Sequence, residues 1–469
     1  MNPSEATNRR DFLKGTAVLA AAGLGGCAAT DKGGAGAQAH ALPKPKLRRK
    51  IGPNDKIRVG SIGVNGQGNY SVTQLLKQPD VEFVAVCDVC DKRRDGTIAR
   101  IKKAAGKGDP KPYTDFRKVL DRTDIDAVVI ATPPHWHCLM GIMACEAGKD
   151  FYLEKPMTLH PAETRALLNA VRHHKAITQI GTQIHAVDNY RRVVEYVRSG
   201  KLGKISTVRT FNIQNQGPNG IGNAPNGNPP TGVDWEMWVG PAKFQKFNPT
   251  LFTGSFHHCS WMAYSGGWTP GMAPHIIDLP IWALELGCPT RVSATGGRYV
   301  IQDAGDAYDN HEVLWSYPGF TMTWMSSVVN SYGWDFGHGK RSRRLGIYFH
   351  GVNGTMFSNY GMHKIEAEGD FLKTIKDGKD TDPPPQSVPK SKGHHREWLD
   401  GIKTRTQPLC HVGYHANVDI CCTTSLLAMK LGRTIHLDPK TLKIVGDDEA
   451  AKAAIPIYRD PWKFPARYL

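Results

Sequence analysis

The chain has 469 residues, 40% of them hydrophobic, which allows two or three domains with large cores and is unlike the composition of a membrane bundle. Its formal charge of +16 suits acidic partners or surfaces, but Lys and Arg are spread along the chain and no aromatic–basic RNA motif occurs, so no nucleic-acid partner is expected. Ten cysteines at irregular spacings make no disulfide framework. Cys87 and Cys90 straddle Asp88 without the second pair a zinc site needs, and most of the ten are expected as small buried apolar residues.

Residues 1–27 read as an address. Asn8-Arg9-Arg10-Asp11-Phe12-Leu13-Lys14 has the form of a twin-arginine signal, and the apolar run Thr16 to Leu24 is too short to span a membrane. The Tat export machinery is therefore an expected partner, and it carries folded proteins, which lets a nucleotide be taken up before export. Leu24-Gly25-Gly26-Cys27 resembles a lipobox, so Cys27 is a candidate lipid anchor; the alternative is cleavage that leaves a soluble periplasmic protein. Residues 28–55, rich in Gly, Ala, Pro and Lys without apolar period, read as a flexible tether.

From Lys56 the pattern is strand, glycine turn, helix, strand. Ile57, Val59 and Ile62 stop at Gly63; Gly63, Asn65, Gly66, Gln67 and Gly68 form the turn; Val72, Leu75 and Leu76 have helical spacing; Val81 to Cys87 is a second apolar run closed by Asp88. This order suits a dinucleotide: the turn and the helix start hold a pyrophosphate, and the acidic residue binds the ribose. Asn65 replaces the middle glycine of the fingerprint, and Asn is the side chain that best tolerates positive φ. Asp88 favours NAD, while Arg93 and Arg94 nearby leave NADP open. Strands follow at Ile125 to Ala131, Asp150 to Leu153 and Thr178 to Gly181, with helices between them. The rule that ligands sit beyond the carboxyl ends of parallel strands puts the glycine turn, Asp88, Thr132 to His137 and Glu154 to Pro156 on one rim of a Rossmann domain over 56–181.

After Gly181 the texture becomes β-rich, with alternating runs at Ile205 to Ile213, Arg291 to Tyr299, Val313 to Tyr317 and Thr321 to Ser327. Residues 182–455 are expected to be an α/β substrate and oligomerisation domain, and 456–469 a surface tail. His257-His258 and His394-His395 lack the partners of a metal site and are expected as solvated loop residues, so no metal is assigned. The run Lys340 to Arg344 reads as a solvated turn.

The glycine turn, Asp88, the segment Thr132-Pro133-Pro134-His135-Trp136-His137 and above all Glu154-Lys155-Pro156 resemble the Gfo/Idh/MocA oxidoreductases, closely over Lys56 to Gly203 and loosely beyond, at Trp235-x-x-Trp238-x-Gly240-Pro241 and His275-x-x-Asp278. The resemblance implies NAD or NADP, a sugar, cyclitol or glycoside as substrate, and a Rossmann domain followed by an α/β domain with a large open, mostly antiparallel sheet. It implies Lys155 and His275 as the acid/base pair, with Thr132, Pro133, His135, Trp136 and Glu154 along the cofactor and His137, Gln183 and Asp278 toward substrate. The family's usual aspartate four residues before the histidine is Gly271 here. Lys155 has its own rationale, because removing hydride from a secondary alcohol also requires a proton acceptor at the strand end. The expected function is an exported NAD(P)-dependent oxidoreductase. The alternatives are NAD-dependent glycoside cleavage through a transient keto-sugar and a non-catalytic sugar-binding protein. A homo-oligomer, dimer or tetramer, is expected.

Overall fold

The computed structural model describes residues 42–253, 257–330 and 344–469. The twin-arginine segment, Cys27, residues 28–41 of the tether and Lys340 to Arg343 lie outside the described residues.

The first sheet comes from short runs that are apolar throughout, the pattern of strands buried on both faces. Strands β1 (Ile57–Ile62), β2 (Val81–Cys87), β3 (Lys111–Tyr113), β4 (Ala127–Ile130), β5 (Asp150–Leu153) and β6 (Thr178–Ile180) are all parallel, in the order β3-β2-β1-β4-β5-β6. Helices α1 (Gly66–Leu76), α2 (Asp91–Lys103), α3 (Phe116–Leu120), α4 (His137–Glu146) and α5 (Pro161–His174) make the crossovers. Alternate side chains go to opposite faces, so Val59, Phe83, Val129 and Tyr152 enter one core and Ile62, Ala85, Val128 and Phe151 the other. This is the Rossmann arrangement expected. β3 was not legible, because Lys-Pro-Tyr is a short edge strand with a proline.

After α6 (Asp188–Arg198), a second sheet of ten strands is centred on β7 (Ile205–Asn215). Its other strands include β8 (Arg291–Gly297), β9 (Asn310–Tyr317), β10 (Phe320–Ser327), the two-residue β11 (Val329–Asn330), β12 (Leu345–Gly351), β13 (Gly354–Asn359) and β14 (Met362–Ala367). The order β14-β13-β12-β7-β10-β9-β8 continues to Ile435–Asp438, and only β7 and β10 pair in parallel. The meander β12–β14 is an addition to the sequence reading. Its turn pairs Asn353-Gly354 and Tyr360-Gly361 are the signal that marks it.

A linear division at residue 181 does not describe the packing. Trp398, Leu399 and Ile402 of the helix His394–Thr404 complete the core around Val59 and Phe83, and the helix Val412–Leu431 lies against both α5 and β8. His394 and His395 are therefore buried rather than solvated, with the His395 ring stacked on Tyr152 at 4.9 Å. The tail is also not a free surface segment. Trp462 lies 4.7 Å from the Trp136 ring, the Tyr458 hydroxyl donates to Glu163 at 2.5 Å, and Tyr468 is buried against His174. Each aromatic ring finds an apolar slot on the Rossmann domain, and that outweighs the polar character of the tail. Among the described residues no helix is long and apolar enough to cross a membrane, and all nine described cysteines are buried and free.

Because Trp398 is fully buried in the Rossmann core, Trp398→Ala is expected to lower the unfolding free energy by about 3–5 kcal/mol in urea titration. A loss below about 1 kcal/mol would mean that the helix does not share that core.

Candidate active site

Ile62 pairs with both Cys87 and Ile130, and Ile130 pairs with Leu153, so β1, β2, β4 and β5 end level. Gly63, Asp88, Thr132 and Glu154 consequently emerge along one rim. At a strand spacing of ~4.8 Å the rim runs roughly 14 Å from Asp88 to Glu154. A cavity of about 400 Å³ follows it, lined by the glycine turn, Asp88, Thr132, Pro133 and Trp136 and by Glu154, Lys155 and His275.

Gly63 has φ +77°, and a Cβ there would lie 2.7 Å from the Ala131 carbonyl oxygen, so the position requires glycine. Asn65 does not supply the left-handed residue expected of it. It is extended at φ −99°, and Gly66 takes the positive φ, +46°. The Asn65 side chain makes no capping hydrogen bond, and the first turn of α1 holds no acidic residue. The helix start thus keeps N–H groups and the positive end of its dipole for an anion, and the pyrophosphate of a dinucleotide fits this cradle. Gly68 works differently from the expectation. It does not line the cavity, and a Cβ would lie 2.0 Å from the Gly63 carbonyl oxygen, so its role is to let α1 sit down on the turn.

Asp88 is 7% exposed, and its two carboxylate oxygens accept the backbone N–H of Val64 and of Cys90, each at 2.9 Å. Each oxygen retains lone-pair capacity suited to ribose hydroxyls. Burial pushes its pKa up, against the two N–H groups that stabilise the anion. Arg94 is engaged by Asp91, Asp95 and Thr114. Arg93 lines the cavity, its guanidinium 4.2 Å from the Phe252 ring centroid.

The second half of the chain closes over this rim. The Asp91 N–H donates to the Gly232 carbonyl and the Asp234 N–H to the Val89 carbonyl, both at 2.8 Å. The Trp238 carbonyl accepts from His135 Nε2 at 3.0 Å and Trp136 Nε1 at 3.1 Å. Met237, Trp238, Leu251 and Phe252 thereby become a wall of the cavity. Trp136 lines the cavity as expected. His135 does not, because its ring is spent on that carbonyl, and burial lowers its pKa to about 4.

At the β5 end Lys155 Nζ donates to the Gly271 carbonyl oxygen at 2.8 Å. A Cβ at Gly271 would lie 2.8 Å from Cys259 Sγ, so the thiol occupies the space that a side chain at 271 would need. The missing carboxylate is thus a feature of the packing. His275 Nδ1 is 2.7 Å from the Tyr360 hydroxyl, in the β13–β14 turn. Burial, reinforced by Lys155, holds His275 well below the usual imidazole range, so the ring is neutral at pH 7; burial likewise holds the Tyr360 phenol protonated. When Nδ1–H donates to Tyr360, Nε2 is the proton acceptor of the ring. The Glu154 carboxyl lies over Gly181, where a Cβ would come within 2.5 Å of it, and burial raises its pKa to about 7. Tyr360 and Cys259 were missed by the sequence reading, since neither stands in a motif.

Three expected substrate contacts are elsewhere. His137 spans the Pro156 carbonyl (Nδ1, 2.6 Å) and the Thr132 carbonyl (Nε2, 2.8 Å), and ties two rim segments together. Donating to both would require an imidazolium, yet burial lowers its pKa to about 4, so the neutral ring donates to one of them. Gln183 accepts from Tyr70 at 3.3 Å, outside the cavity. Asp278 is buried, bonded to His185 Nε2 at 3.0 Å and to the Tyr414 hydroxyl, and does not orient His275.

Residues 57–182 match the Gfo/Idh/MocA family, described as an oxidoreductase family with an NAD-binding Rossmann fold, and residues 6–26 match the twin-arginine translocation pathway signal sequence. A glycosyl hydrolase family 109 protein of Shewanella pealeana is 33% identical over 216 residues, 42% of this chain and 44% of that protein; one from Shewanella baltica is 35% identical over 214 residues with the same coverage. The matched region is thus less than half the length of these curated relatives. Among solved structures, an NAD-binding protein from Listeria innocua has TM-score 0.58 at 18% identity, covering 81% of this chain and 99% of its own. Levoglucosan dehydrogenase in complex with NADH and levoglucosan has TM-score 0.54 at 17% identity, covering 81% of this chain and 99% of its own. These likenesses establish the two-domain fold.

The Glu154 environment makes a pH test. Its ordinary value is 4.5 and its folded value about 7, so the folded state binds the extra proton between them and stability falls as pH rises through that window. Glu154→Gln is expected to equal the wild type near the lower value and to exceed it by about 3 kcal/mol above the upper one, in urea unfolding of the dinucleotide-free protein. A gap that does not change with pH would show that the buried carboxyl does not titrate there.

Proposed function

We propose, for a chain whose residues 57–182 belong to the Gfo/Idh/MocA oxidoreductase family, an exported NAD(P)-dependent oxidoreductase acting at a secondary alcohol of a sugar, cyclitol or glycoside. The observation that carries this reading is one cavity holding the uncapped helix start, Asp88, Lys155 and His275 together. The turn residues Gly63 and Gly66 would hold the pyrophosphate, Asp88 the adenosine ribose, and Thr132, Pro133 and Trp136 the nicotinamide half. When bound, the cofactor supplies the hydride acceptor or donor. The hydroxyl proton goes to His275 Nε2 or to Lys155, whose amine is anchored at the Gly271 carbonyl within the same cavity. Asp88 favours NAD, and the adjoining Arg93 is the side chain that would accommodate NADP.

Export by the twin-arginine route puts the protein in the periplasm, or on the outer side of the cytoplasmic membrane when Cys27 carries lipid. Free dinucleotide is scarce there, and the wall of Trp238 and Phe252 supports a cofactor retained from the cytoplasm. A homo-oligomer is part of this reading.

A second reading rests on the relatives named glycosyl hydrolase family 109 and on Gly271, which offers no carboxylate. A sugar oxidised to a ketone acidifies the neighbouring C–H, so loss of that proton can expel the aglycone by elimination; water then adds across the resulting double bond and the hydride taken at the start is returned to the ketone, with no net redox change.

Native mass spectrometry of the exported protein is expected to show a bound dinucleotide; none bound and none taken up on titration would leave only a sugar-binding role. Lys155→Ala is expected to keep the dinucleotide and lower kcat by about 10²–10⁴. Solvent deuterium in the sugar product, with no net change in cofactor oxidation state, selects glycoside cleavage. Net NADH formation without that deuterium selects the dehydrogenase.

A further inference from the structure

We propose that His185, Asp278, Cys410 and His415 form a buried structural zinc site, separate from the cavity described above. His185, Asp278 and Cys410 each present one ligand atom, and these three atoms lie within 4.8 Å of one another. His185 Nε2 is 3.0 Å from Asp278 Oδ1, and Cys410 Sγ is 3.9 Å from His415 Nδ1. Tetrahedral zinc, with bonds of about 2.0–2.3 Å, sets its ligand atoms roughly 3.3–3.8 Å apart, so His185, Asp278 and Cys410 need to close by roughly 1–1.5 Å at most, with His415, held 3.9 Å from Cys410 Sγ, turning in as the fourth ligand.

Three further observations support a cation. All four side chains are at most 2% exposed, so bulk water does not reach them. Asp278 Oδ2 has no hydrogen-bond partner, although the residue is fully buried. An unpartnered carboxylate oxygen there is costly unless a positive charge faces it. The donor set is also balanced: one carboxylate, one thiolate and two neutral imidazoles exactly offset the two charges of zinc, with the thiol proton released to solvent on binding. Thiolate and imidazole together select zinc over magnesium or calcium, and four protein ligands make a closed, structural site.

The ligands come from three places far apart in the chain. His185 is in the short helix Gln183–Ala186, Asp278 in the helix Pro274–Ala283, and Cys410 and His415 flank the start of the helix Val412–Leu431. An ion would staple these elements and hold the helix that carries His275. Only the pair Cys410 and His415 is close in sequence, which is why no spacing motif reveals the set.

The test uses the untagged full-length protein folded in zinc-supplemented medium. Elemental analysis is expected to find one zinc per chain, and zinc-edge X-ray absorption to find one sulfur among nitrogen and oxygen neighbours. Cobalt exchanged into the protein is expected to give a near-ultraviolet thiolate charge-transfer band that Cys410→Ala loses and Cys421→Ala keeps. Folded wild type without stoichiometric metal, zinc without a sulfur neighbour, or a band that survives Cys410→Ala would each overturn the site and leave a purely hydrogen-bonded cluster. The wild-type measurements decide the matter even when Cys410→Ala does not fold.

Discussion

The hydrogen-bond register of four parallel strands is the constraint on which this protein depends. Ile62, Cys87, Ile130 and Leu153 stand in one row across the first sheet. A slip of one residue in β2 or β5 would reverse their side chains and put Asp88 or Lys155 on a different level from the glycine turn. The register is held because both faces are buried, so each strand has only one alternation that fills two cores at once.

That rim becomes a cavity only through the second half of the chain. The Trp238 carbonyl gathers His135 and Trp136, and backbone bonds fix residues 232–234 beside Asp88. Phe252 and Trp238 then wall one side of the site and narrow its exposure to solvent, which strengthens the electrostatic interactions beside them. The same burial holds His275 neutral and raises the pKa of the Glu154 carboxyl to about 7. Acid/base character here comes mainly from desolvation, with Lys155 as the principal nearby charge.

Gly271 stands where the Gfo/Idh/MocA pattern has an aspartate, and the packing explains the difference. Cys259 Sγ fills the space beside it, and the freed backbone carbonyl becomes the acceptor for Lys155. A carbonyl oxygen holds an amine without carrying a charge or a proton of its own, and beside it His275 pairs with the Tyr360 hydroxyl.

Most strands of the first sheet, the glycine turn, Asp88 and the strand-end placement of Lys155 were legible in the sequence by itself, because each depends on local chemistry: period, turn geometry and a short motif at a strand end, whereas His275 was singled out through the family resemblance. The meander β12–β14, the return of the helix His394–Thr404 to the Rossmann core and the docking of the tail were not, since they depend on contacts between residues hundreds of positions apart. The same holds for side-chain direction. His137 and Asp278 stand in the right motifs, yet tertiary partners turn them away from the cavity, while Cys259 stands in none and lines it, and Tyr360 is brought against His275. Sequence determined which residue types reach the rim. Only the tertiary structure decided which of them face a ligand, because a side chain's direction is set by the neighbours that satisfy or crowd it.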